Sequence, residues 1–288
     1  MSRRFVSEHA GQFPVQRLCE LVGVPRSSYY EWSSRPLSQH YLDDVDLAAE
    51  IFEIHQDSRR TYGAPRVAGQ LHDNGAHHST KRIARLMAEC GLVGVHGRRK
   101  WRRGDRRTAS AGDLLERDFT AERSDERWVA DITECRCRDG KLYLAGIKDL
   151  HDRGMAVWSM GERQSTDLVI NALVMALGRR SPTSKLIHHA DHGAQYTSLE
   201  FSNRLADWKV NASYGSVGDA YDNAAMESTW ATIKKEIRHI YGAWETMTRR
   251  QLRTILFDYI ETFYNRQRHQ ARLGHRTPAQ TYAASQAA

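Results

Sequence analysis

The chain has 288 residues, with 42 Lys and Arg against 35 Asp and Glu for a formal net charge of +7, 27% charged and 40% hydrophobic residues, and four cysteines. That length favours two domains over one, and the composition excludes a disordered or fibrous chain. No apolar run approaches the roughly 18 residues of a membrane span and no signal segment follows Met1, so a cytoplasmic protein with reduced thiols and no membrane partner is expected.

Near the N-terminus, Val15, Leu18, Cys19 and Val22 recur at helical spacing, Gly23 supplies a turn, and Ser27 is placed to cap a second short helix carrying Tyr29, Tyr30 and Trp32. The stretch has the proportions of a helix-turn-helix. A second unit is clearer. Asp44 to Gln56 reads as a helix with Val45, Ala48, Ile51 and Ile54 on one face, and Arg66 to Asn74 as another. After the Gly75 turn, Ser79 or Thr80 caps a third helix with Ile83, Leu86, Met87 and Cys90 as its buried stripe. Lys81, Arg82 and Arg85 then face outward in the N-terminal half of that helix, where a recognition helix places its DNA contacts. A plain helical bundle with a charged surface is the alternative. The run Gly97 to Arg107 follows, with seven positive charges and one negative in eleven residues; Arg98, Arg99, Lys100, Arg102 and Arg103 suit a polyanion backbone, because such contacts release counterions.

From Arg127 the period changes to two. Trp128 to Cys137 is a strand, Asp139-Gly140 a hairpin turn and Lys141 to Leu150 its partner, with a third strand over Gly154 to Met160. A helix (Thr166 to Arg179), a strand (Lys185 to Ala190), a helix (Ser198 to Trp208), a short strand (Val210 to Tyr214) and a helix (Ala224 to His239) come next. Three sequential antiparallel strands followed by alternating helix and strand imply an α/β fold, a mixed sheet flanked by helices. Leu252, Ile255, Leu256, Tyr259, Ile260, Phe263 and Tyr264 read as the core stripe of a C-terminal helix.

Three carboxylates stand out. Asp131 lies within the first strand between apolar residues, where an unpaired buried charge would cost several kcal/mol. Asp191 ends the fourth strand before a Gly-containing loop, and Glu227 sits in the opening of a helix for which Asp222 or Asn223 is a plausible cap. The acids are 60 and 36 positions apart along the chain. Oxygen-only ligands suit hard cations, Mg2+ or Mn2+, and two such ions about 4 Å apart can promote phosphoryl transfer. A zinc reading of His188, His189 and His192 with Cys135 and Cys137 lacks a four-ligand spacing; His189 or His192 could instead contact phosphate or orient a carboxylate. Asp149 and Asp152 read as strand-end or turn residues.

The segments Trp128-Val-Ala-Asp-Ile-Thr133, His188-His-Ala-Asp-His-Gly-Ala-Gln-Tyr-Thr-Ser198, Tyr221-Asp-Asn-Ala-Ala-Met-Glu-Ser228 and Tyr264-Asn-Arg-Gln-Arg-His-Gln-Ala-Arg-Leu-Gly-His-Arg-Thr-Pro278 resemble the integrase-core transposases of bacterial insertion sequences. More narrowly, nearly the whole chain is similar to the OrfB protein of the insertion-sequence-three family. Ala190, His192 and Ala225 depart from the residues usual at those positions, and none of the acids does.

The resemblance implies a ribonuclease H-like domain with a D, D, 35, E triad, here Asp131, Asp191 and Glu227. It further implies a DNA transposase that cuts insertion-sequence ends and joins them to target DNA, and that assembles on double-stranded DNA as a homo-oligomer near the bacterial nucleoid, with the upstream OrfA product as a possible partner. The expected organisation is a helical DNA-binding region over 1–96, a basic linker over 97–122 and an integrase-like catalytic domain over 123–288. Two ions are expected, one held by Asp131 and Glu227 and the other by Asp131 and Asp191. Lys234 lies seven residues after Glu227, nearly two helical turns, and is expected on the same face, within reach of DNA flanking the scissile phosphate. A silent DNA-binding regulator and a nuclease without joining activity remain the alternatives.

Overall fold

Three short helices open the chain: α1 (Ser2–His9), α2 (Val15–Leu21) and α3 (Arg26–Ser34). Val6, Leu18, Cys19 and Tyr29 close a small core between them. The helix expected to start at a Ser27 cap begins two residues earlier, with Pro25 in the cap position. Pro25, at φ −58°, already holds the dihedral a helix start needs, so Ser27 falls inside the first turn. The structure, a computed structural model, describes residues 2–95, 112–115, 118–180, 182, 185–215 and 223–287. Residues 1–50 and 51–288 form two compact units.

The helix α4 (Gln39–Asp57) buries Leu47, Ile51 and Ile54, whereas Val45 is 50% exposed, so the apolar stripe runs at spacings of four and three from Leu47 rather than from Val45. In the second unit α5 (Ala64–Asp73) starts with Pro65 in its first turn. Gly75, at φ +89°, turns the chain, and α6 (Thr80–Glu89) begins where the Ser79 side chain accepts the Arg82 N–H at 3.2 Å. Ile83, Leu86 and Met87 are buried there, while Cys90, the residue after the helix, is exposed.

Five strands form one sheet in the order β3-β2-β1-β4-β5: β1 (Arg127–Cys137), β2 (Gly140–Asp149), β3 (Met155–Gly161), β4 (Ile187–Ala190) and β5 (Asn211–Tyr214). The first three pair antiparallel through the Asp139-Gly140 turn and the His151–Gly154 turn, and β4 joins β1 in parallel, with β5 parallel outside it. This is the mixed sheet expected from the change of period. Trp128 and Ala130 point to the face covered by α7 (Thr166–Arg179) and α8 (Leu199–Asp207), where Leu173, Ala176, Phe201 and Leu205 pack against them. With successive side chains alternating, Asp131 points to the opposite face. There α9 (Ala224–Tyr241) crosses β1.

The C-terminal stripe is divided. The helix α10 (Arg249–Phe257) passes into a π-helical turn (Asp258–Tyr264), and the chain ends with α11 (Pro278–Gln286). The wider turn leaves Tyr259, Ile260, Phe263 and Tyr264 all buried while Asp258 meets Arg59. Asp149 and Asp152 do lie at the end of β2 and in the turn after it, but both are fully buried, and Arg180 closes on Asp152 at 2.6 Å. No described helix is long and apolar enough to cross a membrane.

Candidate active site

Asp131 is half-buried in the middle of β1, directly opposite Gly146 of β2. Its Oδ2 accepts the indole N–H of Trp230 at 3.0 Å. Burial, then the neighbouring charge of Asp191 and, more weakly, that of Glu227, push its carboxyl up to about 7. Asp191 follows the last residue of β4 and is exposed; the backbone N–H of Gly193 donates to its Oδ1 at 3.1 Å, and a Cβ at Gly193 would stand 2.9 Å from that oxygen. Glu227 is exposed in the first turn of α9. The three acids therefore come from a strand centre, a strand end and a helix start. Among the described residues no ion pair joins any of them to a Lys or Arg, and no three His, Cys, Asp or Glu side chains form a closed cation cage.

Two further residues shape the site. Trp230 lies one turn after Glu227, so a single helix carries the third carboxylate and the donor that orients the first; their spacing of three was the signal available in the sequence. Asn223 occupies the cap position of α9 but makes no cap hydrogen bond. Its Nδ2 instead donates to the carbonyl of Ala130 at 3.0 Å, tying the helix start to the strand beside Asp131. Asp222 lies outside the described residues. Tyr196 is buried nearby, its phenol pushed well up by burial and by Asp131 and Asp191.

His188 and His189 are engaged away from the acids. His189 is buried, with its Nδ1 2.8 Å from Ser213 Oγ and 3.7 Å from Asp113, which removes it from any phosphate; His188, also buried, is pushed down to about 4 by burial. His192 is exposed against Tyr214. Lys81 and Arg85 are exposed on α6, with Arg85 2.9 Å from Glu89, and Arg82 is half-buried. Arg98, Arg99, Lys100, Arg102 and Arg103 lie outside the described residues. Lys234 is half-buried: its ammonium donates to the Glu134 carbonyl of β1 at 3.1 Å and sits 5.8 Å from the Trp244 ring centre.

The sequence pattern of the integrase core domain matches residues 121–220 and a second integrase core pattern matches 208–278, while an HTH-like domain matches 42–100. The HTH-like match thus spans the helices α4 to α6 rather than α2 and α3. The chain is 37% identical over 265 residues to the 31 kDa protein of insertion element IS600 from Shigella sonnei, covering 91% of this chain and 96% of that protein. It is 33% identical over 286 residues to the transposase InsF of insertion sequence IS3A from Escherichia coli, covering 96% of both. Among solved structures, the catalytic core domain of HTLV-2 integrase in complex with magnesium aligns at 15% identity and a TM-score of 0.44, over 56% of this chain and 98% of that one. With full-length relatives at this identity and integrase core patterns spanning its sheet, the chain belongs to the IS3 family of insertion-sequence transposases, integrase-type enzymes of DNA transposition.

Proposed function

We propose that this transposase cleaves the ends of its insertion sequence and joins them to target DNA at Asp131, Asp191 and Glu227. The observation that carries the reading is the convergence of negative charge on Asp131, whose carboxyl is raised to about 7 by burial first and then by Asp191 and Glu227, with no ion pair to a Lys or Arg to relieve it among the described residues. An all-oxygen donor set under such repulsion fits Mg2+ or Mn2+. Asp131 with Asp191 would hold one ion and Asp131 with Glu227 the other; bound there, such ions activate an attacking hydroxyl and stabilise the departing oxygen.

The chain's own residues supply orientation. Trp230 fixes one Asp131 oxygen, the Gly193 amide fixes one Asp191 oxygen, and Asn223 holds the start of α9 against β1. Water as the attacking group gives end cleavage, and a DNA 3′-hydroxyl gives joining. Lys81, Arg82, Arg85 and the basic run that includes Arg98, Arg99, Lys100, Arg102 and Arg103 would contact the backbone of the ends. Lys234, with one donor engaged by Glu134, retains two N–H groups for DNA beside Glu227. Assembly as a homo-oligomer on DNA and pairing with an upstream OrfA product belong to the same reading.

A strand-transfer assay with a labelled element end and Mg2+ tests it. Asp131→Ala, Asp191→Ala and Glu227→Ala should each abolish nicking and joining while end binding persists. Nicking by the triple variant at the wild-type rate would remove the triad from the chemistry. Nicking without joining would leave a nuclease, and end binding without either would leave a regulator.

A further inference from the structure

A groove of about 790 Å³ opens between the His151–Gly154 turn and the loop before α11, lined by Arg153, Arg272 and Arg276 together with His151, Thr120 and Thr281. Its floor is apolar, with Leu150 and Leu273. Arg153 is half-buried on a left-handed backbone at φ +58°, and burial and the nearby Arg272 together push its guanidinium down. Fully buried Lys148, on the neighbouring strand, is driven well below its ordinary value by burial and then by Arg153, Arg268 and Arg272. Three guanidinium groups therefore gather round one groove.

Elsewhere the fold neutralises its sheltered arginines. Arg59 pairs with Asp258, Arg66 and Arg268 with Glu236, and Arg180 with Asp152 and Asp125. Among the described residues no carboxylate pairs with Arg153, Arg272 or Arg276. Three guanidiniums on two separate segments face one groove, two of them exposed, and their charge is open to an anion from outside the chain.

We infer that this groove is a second DNA contact of the transposase, taking the phosphodiester backbone of duplex DNA away from the acidic triad. The inference rests on the DNA-joining reading above. Guanidinium forks match phosphate oxygens, and the three positive charges supply the counterion release that drives such binding. The groove lies beyond the end of β2 at Asp149, three residues along that strand from Gly146, which faces Asp131, so its arginines are separate from the carboxylates of the triad.

The test is duplex binding by the full chain in EDTA, followed over a salt titration. Arg272→Ala/Arg276→Ala, which alters two exposed side chains, should weaken binding roughly tenfold and flatten the plot of log affinity against log salt by about 1.8, or 0.9 per lost phosphate contact. Arg272→Lys/Arg276→Lys should keep the wild-type slope; a lost slope in this variant would mean that folding, not charge, had been changed, and would overturn the assignment. An unchanged slope and affinity in the alanine variant would also overturn it while leaving the triad reading intact. Absence of duplex binding by the wild-type chain would overturn both.

Discussion

The indole N–H of Trp230 points at Asp131 Oδ2 from 3.0 Å, and the space for its ring is made by the missing side chain of Gly146, the residue directly across the ladder from Asp131. A helix residue, a strand carboxylate and a glycine on the adjacent strand thus form one unit. The N–H selects a single orientation of the carboxylate, and the glycine allows the helix to come close enough to do so.

Trp230→Phe removes the donor and keeps most of the ring. A hydrogen bond to a charged group contributes about 1.5–3 kcal/mol, so single-turnover nicking should fall at least ~10-fold, and the melting temperature should fall by several degrees as well. A wild-type nicking rate in this variant would show that Asp131 needs no such support.

Gly146→Ala is expected to be worse. A Cβ there would lie 2.3 Å from the Met155 methyl and 2.6 Å from the Trp230 ring, so the helix or the strand must move. Overpacking of this kind costs roughly 1–3 kcal/mol, and because Trp230 is among the displaced groups, activity should fall together with stability. Chemical denaturation and the nicking assay, run on one preparation, separate the two losses.

The raised Asp131 carboxyl predicts a stability that depends on pH when divalent ions are absent. Its folded value of about 7 lies above the ordinary carboxylate value of about 3.9, so the folded state binds the extra proton. The contribution is fully present below about pH 3.9 and is lost as pH rises through about 7. The melting temperature in EDTA should therefore decline over that window relative to Asp131→Asn, and Mg2+ at about pH 8 should restore it. Parallel curves for the two proteins would refute the expectation.

Glu236 is buried between Arg268, at 2.8 Å, Arg66, at 3.6 Å, and the Tyr259 hydroxyl, at 2.8 Å. Burial pulls its carboxyl upward, but the two arginines and the hydroxyl prevail and hold it below the usual range. Glu236→Gln leaves Arg268 buried without its charge partner, a loss of about 3–5 kcal/mol in similar cases. Urea unfolding measures it, and a loss below about 1 kcal/mol would mean that water reaches the pair.

Much of this fold was legible because its signals are periodic. The alternation from Trp128 to Cys137 announced β1, and the Asp139-Gly140 turn fixed its partner and register, which places Asp131 against Gly146. The three acids stood out because each interrupts an apolar or loop context. What stayed hidden depends on contacts distant in sequence: nothing around Gly146 announces that the Trp230 ring fills its place, and nothing in Leu252 to Tyr264 announces that one helix becomes two kinds of turn. Val45 misled because several registers of one helix can collect four apolar residues, and only the packing partner chooses among them.

The helix α9 begins near Glu227 and, nine residues on, offers Glu236 to Arg66 in the first turns of α5, while Tyr62 donates to the Gln267 carbonyl at 3.0 Å and accepts the His269 amide at 2.6 Å. A shortened chain that kept the sheet but began after residue 111 would strand Glu236 beside a single arginine and leave the 267–269 loop without its tyrosine. The usual dissection of a DNA-handling enzyme into a reader and a cutter therefore has no clean incision here. A lesion in α5, far along the sequence from any acid of the triad, would be scored by a geneticist as a defect in cutting.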